Sequence, residues 1–208
     1  MSGVVIGGDG LSRCPWGASP PEYLAYHDEE WGRPVADDNA VFEKLCLEGF
    51  QAGLSWLTIL RKRGGFRAAF AAFDPAAVAR FGEADVDRLL ADAAIVRHRG
   101  KILAAIANAK ATVQLRDEGL SLAGLVWAYE SAERPAPSSV KGLPASTPES
   151  KALSKDLQRR GFRFVGPTTV YAAMQSLGVV NDHLEECHCR EPTRAARAMF
   201  RVPPAQGA

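Results

Sequence analysis

The chain has 208 residues, 47% of them hydrophobic and 24% charged, a balance that suits a folded globular protein and excludes one that is disordered for most of its length. That length accommodates one large or two modest domains. Twenty-five Lys and Arg against 24 Asp and Glu leave a formal net charge of +1, which excludes a protein that holds nucleic acid by bulk charge; any DNA contact has to come from a local patch.

In chain order, the opening MSGVVIGGDG is Gly-rich and aperiodic, and residues 1–12 read as a flexible tail. It has neither the basic nor the long apolar region of a secretory signal, and no apolar run reaches the ~18 residues of a membrane span. A cytoplasmic location with no membrane partner is therefore expected. Residues 38–63 (DNAVFEKLCLEGFQAGLSWLTILRKR) have the length and spacing of one long helix, with Asp37 or Asp38 at its N-cap and Gly64-Gly65 as its stop. A short helix over 66–73 follows, then another near 76–81 with Asp74 at the N-cap and Pro75 at the first helical position.

Residues 84–92 and 98–117 carry apolar residues at i, i+3, i+4 and i+7, and the short bridge AAIVR joins them. Further helices are expected over 121–129, 150–160 and 168–177, the first two separated by the Pro/Ser-rich loop ERPAPSSVKGLPASTP. After Arg190 the chain is Arg-, Ala- and Pro-rich and reads as a tail, 191–208. No set of strands alternates in period two, so the predicted class is all-α, with a single helical unit over 13–190.

Four patterns carry chemistry. Cys14 and His27 form C-x12-H near one end, and His183 and Cys187 form H-x3-C near the other. Zinc takes four Cys/His ligands tetrahedrally, and an i, i+4 pair on a helical turn points two ligands the same way. The competing reading is a buried cysteine with surface histidines, and His188 and Cys189 crowd the same turn. With no open coordination position implied, such a metal is structural. The spacing of the four cysteines, at 14, 46, 187 and 189, argues against a disulfide scaffold.

The second pattern is Glu48, Gln51 and Ser55 on one face of an otherwise apolar helix, with Gly49 and Gly53 making room for close approach. This is either a pocket floor that reads a polar ligand or a carboxylate paired with an arginine beneath tight helix packing. Third, Trp16, Tyr23, Tyr26 and Trp31 crowd one N-terminal window and Trp56 lies two turns past Glu48, forming either core or a cage for a flat or cationic ligand. Fourth, the helix-AAIVR-helix segment with Arg97, Arg99 and Lys101 offers backbone N–H groups and positive charge to a phosphate. Basic runs at 61–67 and 159–163 add weaker support.

The strings RCPWG, YLAYHDEEWGRP, CLEGFQAGLSWLTILRKR, DAAIVRHRGKI, LSKDLQRRGFRFVGPTTVYAAMQ and GVVNDHLEEC resemble the 3-methyladenine DNA glycosylase I family of the helix-hairpin-helix superfamily, over residues 13–189. The resemblance implies a helix-hairpin-helix glycosylase fold of two helical lobes with the hairpin near 93–97. One structural zinc per chain would be held by Cys14, His27, His183 and Cys187, stapling the N- and C-terminal segments. Glu48 corresponds to the base-contacting carboxylate, and Trp16, Tyr23, Tyr26 and Trp56 to the aromatic pocket. Gln51, Gly53 and Leu54 correspond to residues at the gap in the duplex, and Arg97, Arg99 and Lys101 lie in the segment that holds the DNA backbone.

Position 50 is Phe where some members have Gln, and Ala93-Ala94 stands where such hairpins carry glycine. The implied activity is monofunctional excision of 3-methyladenine from alkylated duplex DNA by a monomer, starting base-excision repair and releasing the free base. No Schiff-base lysine is seen. The alternatives are a non-catalytic damage-sensing DNA-binding module and a glycosylase for another alkylated base such as 3-methylguanine.

Overall fold

The computed structural model describes residues 3–132 and 134–205, which form ten α-helices and one two-stranded ladder. The ladder pairs β1 (Val5–Ile6) antiparallel with β2 (Ser12–Arg13). The helices are α1 (Pro21–Glu29), α2 (Asp38–Gln51), α3 (Trp56–Ala69), α4 (Pro75–Val78), α5 (Glu83–Ala91), α6 (Arg99–Asp117), α7 (Leu122–Trp127), α8 (Pro148–Arg159), α9 (Pro167–Ser176) and α10 (Arg190–Met199). Among the described residues no helix is long and apolar enough to cross a membrane.

The organising element is α2. Residues 44–50 are buried without interruption, so this helix is apolar nearly all round and sits inside the molecule rather than on it. It packs against α3, α6, α7 and α9. Phe50 lies in an aromatic core with Phe66 at 4.6 Å and Phe70 at 5.7 Å between ring centroids. The Phe at position 50 is therefore a core residue, 1% exposed, and not a surface group.

The single helix expected over 38–63 is two helices. Gly53 takes a left-handed φ of +79°, a conformation that L side chains rarely adopt, and the chain turns between residues 52 and 55. Ser55 then starts α3, its hydroxyl accepting from the Thr58 N–H at 3.2 Å. The stop expected at Gly64-Gly65 is also corrected, because α3 continues to Ala69. Gly65 serves close approach: a Cβ there would lie 2.6 Å from the Ala94 carbonyl oxygen. The caps at Asp37, whose side chain accepts from the Ala40 N–H at 2.8 Å, and at Asp74, which accepts from the Ala76 N–H at 3.0 Å, stand as expected.

Both ends are more ordered than their composition suggests. In the segment read as an N-terminal tail, β1 pairs with β2, and Arg13, only 2% exposed, bonds Asp9 at 2.7 Å and Asp28 at 2.7 Å. In the segment read as a C-terminal tail, α10 docks and Phe200 packs on Trp127 with ring centroids 4.5 Å apart. The Ser121 N–H donates to the Ala205 carbonyl at 3.1 Å. Strand pairing and the Arg13 ion pairs hold the first end, and the Phe200–Trp127 contact with a backbone hydrogen bond holds the second. Residues 1–2 and 206–208, part of the expected loose ends, lie outside the described residues.

Candidate base-binding pocket and metal cluster

A cavity of about 330 Å³ opens between the first turn of α3, the last turn of α2, α1 and α9, a size in the range of small-molecule sites. Trp16, Tyr23, Tyr26, Trp31 and Trp56 form its aromatic wall, and Glu48, Gln51 and Gln175 bring polar atoms to it. Trp16 meets Trp31 at 4.9 Å and 72°, and Tyr26 meets Trp56 at 5.5 Å and 43°. The Tyr23 hydroxyl accepts from the Leu57 N–H at 2.8 Å, tying α1 to the start of α3. All four aromatic residues expected in a pocket, and Glu48 with them, are thus brought together.

Glu48 is 5% exposed, and neither carboxylate oxygen has a hydrogen-bond partner among the described residues. Burial pushes its carboxyl up to about 7, against the opposing pull of the Lys44 ammonium one turn earlier. Trp56 Nε1 is likewise buried without a partner. Native proteins rarely leave a buried carboxylate unpaired, so Glu48 at the cavity points to a ligand that pairs it.

Lys44 carried no signal in the sequence because it reads as one more charge in an amphipathic run. It is 7% exposed, with Nζ donating to the Tyr26 hydroxyl and to Glu30 Oε1, both at 3.2 Å. Its ammonium lies 4.8 Å from the Tyr26 ring and 5.1 Å from the Trp56 ring. No lysine lines the cavity itself among the described residues.

Beside the pocket, Cys14, His27, His183 and Cys187 bring their ligand atoms within 4.8 Å of one another, all four residues buried. A tetrahedral zinc with ordinary bond lengths separates a sulfur from a nitrogen by about 3.6 Å. Here Cys14 Sγ lies 3.8 Å and Cys187 Sγ 3.6 Å from His183 Nδ1, and Cys187 Sγ lies 3.5 Å from His27 Nε2.

The tautomers agree with metal binding. His183 Nε2 donates to the Trp31 carbonyl at 3.1 Å and His27 Nδ1 to Asp28 Oδ1 at 2.8 Å, leaving each ring's lone pair turned to the cysteines. Burial also lowers the His183 pKa, favouring the neutral ring that a metal needs. The donor set therefore fits a four-coordinate metal. His188 and Cys189, which share the turn, face Asp28 instead, with His188 Nε2 3.1 Å from its Oδ1. Burial opposes ionisation of Asp28, but Arg13, His27 and His188 hold it well below the usual carboxylate range.

The cluster also supports the pocket. The Trp16 ring lies 5.1 Å from the His27 ring, and the Trp31 ring 4.7 Å from the His183 ring, so two walls of the cavity rest on two of the four candidate ligands.

α5 and α6 are joined by a short loop in which Asp92 Oδ1 accepts from the Ala94 N–H at 2.8 Å. Neither Ala93 nor Ala94 takes a positive φ, so this aspartate turn forms without glycine. Arg97 is exposed, whereas Arg99 is paired with Glu83 and lies 3.9 Å from Asp87. Among the other expected basic groups, Arg61 pairs with Glu22 and Arg67 with Glu43, both at 2.8 Å, and Arg63 with Glu30 at 2.6 Å. Gln51, Gly53 and Leu54 meet at the α2–α3 turn, where Gln51 Nε2 donates to the Leu54 carbonyl at 3.0 Å and Leu54 is 40% exposed.

Lys101, expected at a phosphate, is turned inward. Lys101 is 8% exposed, and its Nζ donates to the Phe50 carbonyl at 2.8 Å and the Ala52 carbonyl at 2.6 Å. A helix leaves its last carbonyls without partners, and a cation there satisfies them. Lys101 thus caps α2 and pins the turn that presents Gly53 and Leu54. Lys101→Met is expected to cost about 1–3 kcal/mol of stability, read by thermal or denaturant unfolding. The slope of DNA affinity against salt should stay unchanged, whereas loss of a phosphate contact would lower it by about 1.

Fold and site define a helical protein with an aromatic, carboxylate-floored pocket for a flat ligand, braced by a buried Cys/His cluster. Comparison with known proteins narrows the class. The family model described as methyladenine glycosylase matches residues 16–191, and the chain belongs to that family. It is 48% identical over 181 residues to the DNA-3-methyladenine glycosylase 1 of Escherichia coli (strain K12), covering 86% of this chain and 97% of the relative. A crystal structure of a 3-methyladenine DNA glycosylase I matches with TM-score 0.83 at 48% identity, over 86% of this chain and 99% of that one. A variant of a 3-methyladenine DNA glycosylase I in complex with 3-methyladenine matches with TM-score 0.82 at 34% identity, over 86% and 97% of the two chains.

Proposed function

We propose that this protein is a monofunctional DNA glycosylase that flips 3-methyladenine out of alkylated duplex DNA and hydrolyses its N-glycosidic bond, starting base-excision repair. The observation that carries the reading is a buried carboxylate, Glu48, without a partner in a cavity walled by five aromatic rings. Family membership and the relatives named for this activity support it.

The chemistry asked of the chain is modest. Methylation at N3 makes the base cationic, which weakens its bond to the sugar, and the base leaves without needing a proton. The enzyme's work is then to select and hold. Unstacking costs a few kcal/mol, less for a damaged base, and ring faces attract a flat cation. Glu48, ionised, accepts from the exocyclic amine and adds a counter-charge. Water adds to the sugar carbon, one of its protons is lost to solvent, and the glycosidic electron pair leaves with the base. Lys44 is engaged with Tyr26 and Glu30 outside the cavity, in keeping with hydrolysis and not a Schiff-base mechanism.

Cys14, His27, His183 and Cys187 are assigned as ligands of one structural zinc, which supplies cross-linking and no reaction step. Gln51, Gly53 and Leu54 are assigned to the gap left in the duplex. Arg97 and the backbone of the α5–α6 loop, in the manner of a helix-hairpin-helix element, are assigned to the phosphates. Incubation with methylated duplex DNA should release free 3-methyladenine, and borohydride should trap no covalent adduct. Absence of base release removes the proposal.

A further inference from the structure

α9 contributes Gln175 to the pocket wall, a residue that no sequence signal marked. Its Nε2 donates to Asp182 Oδ2 at 2.8 Å. Asp182 is 4% exposed and held from two other directions: the Tyr171 hydroxyl donates to Oδ2, and Arg134 Nη2 donates to Oδ1 at 3.1 Å. Arg134 Nη2 also donates to the Tyr171 oxygen at 2.6 Å, so the three groups form a closed set around the carboxylate.

That set decides which way the Gln175 amide points. A side-chain amide presents a donor and an acceptor of nearly equal size, and free in a pocket it turns to suit either kind of ligand. A carboxylate oxygen accepts, and Asp182 already receives the Arg134 guanidinium, which can only donate, on Oδ1 and the Tyr171 hydroxyl on Oδ2. The NH2 of Gln175 is therefore committed to Asp182. Its Oε1 has no hydrogen-bond partner among the described residues and is left as the polar atom that Gln175 offers to the cavity.

Oε1 of Gln175 on α9 thus joins the carboxylate of Glu48 on α2 as an acceptor at the cavity. Adenine carries at its 6-position an amine with two protons, whereas guanine carries there an oxygen that can only accept. We propose that Gln175 is a specificity-determining residue whose Oε1, oriented by Asp182, accepts a proton of the 6-amine of the methylated adenine and disfavours 6-oxo purines. The inference rests on the excision activity proposed above. Its physical basis is that a site built to accept a proton loses far more against a ligand without one than a merely apolar site does. A glutamine free to turn its NH2 toward O6 would lose that discrimination, which gives Asp182 its role as a positioning residue.

The test compares base release from duplexes carrying either 3-methyladenine or 3-methylguanine, as kcat/KM for each. Gln175→Met keeps side-chain length and removes the acceptor. It is expected to lower release of 3-methyladenine by roughly tenfold, the effect of one hydrogen bond, while release of 3-methylguanine stays within about threefold. Asp182→Asn, with zinc content checked because His183 is adjacent, is expected to move the ratio the same way by freeing the amide to turn. A merely structural role predicts that both substrates fall together. An unchanged ratio in a folded Gln175→Met protein overturns the inference and leaves the proposed function standing. A wild-type protein that releases neither base overturns both. Where Gln175→Met fails to fold, the ratio in Asp182→Asn decides by the same criterion.

Discussion

Glu48→Gln is expected to lose base release while gaining stability, with the two effects separable by pH. The substitution keeps the shape of the side chain but not its charge, and a hydrogen bond to a charged acceptor contributes about 1.5–3 kcal/mol, so release of 3-methyladenine should fall roughly 10- to 100-fold. Stability should move the other way. The folded-state pKa of Glu48 is raised from 4.5 to about 7, so the folded protein resists ionising this group. Such a group favours the fold fully below pH 4.5, and that contribution is lost as pH rises through 7. Each pKa unit corresponds to about 1.4 kcal/mol, so the wild type gives up about 3 kcal/mol at pH 8 that the uncharged variant keeps. Denaturant midpoints should show Glu48→Gln ahead of wild type at pH 8 and level with it at pH 4. A variant that is no more stable at pH 8, or that retains full base release, would remove Glu48 from the role assigned to it.

Elemental analysis should find about one zinc per chain, and a Cys14→Ser/His183→Ala protein should have none and be markedly less stable. The two residues lie 169 positions apart and meet at 3.8 Å, so a metal between them closes nearly the whole chain into a loop. By analogy with a covalent cross-link over a loop of that order, the lost restraint is about 5 kcal/mol. For a protein of this size that corresponds to a fall in Tm of roughly 10–20 °C. Because Trp16 and Trp31 rest on His27 and His183, tryptophan fluorescence should change together with metal loss. Cys189→Ser, in the neighbouring group around Asp28, should keep the zinc. Zinc retained by the double variant, or lost from Cys189→Ser, would mean a different ligand set.

The sequence was legible wherever the signal is local. Caps at Asp37 and Asp74 and the apolar spacing of α5, α6, α8 and α9 depend on residues within about four positions of one another, and the observed helices agree with them. The aromatic window, Glu48 and the H-x3-C pair were visible for the same reason. Their meeting across the chain came from the resemblance of long strings and not from spacing, which left a buried cysteine and surface histidines equally open.

What only the tertiary structure decided is the partner of each polar group. Lys101 reads as one of three cations at a helix start, yet it turns inward because the carbonyls at the end of α2, some fifty positions away, need a donor. The basic run at 61–67 reads as a surface for phosphate, yet three of its arginines meet acidic side chains from α1, α2 and Glu30. Gln175 carries no signal until Asp182, Tyr171 and Arg134 close around its amide. Composition and periodicity report how apolar a stretch is and how it coils. The direction of a hydrogen bond or an ion pair depends on which groups folding brings opposite one another, and for this chain that is where the charge, the pocket and its selectivity were settled.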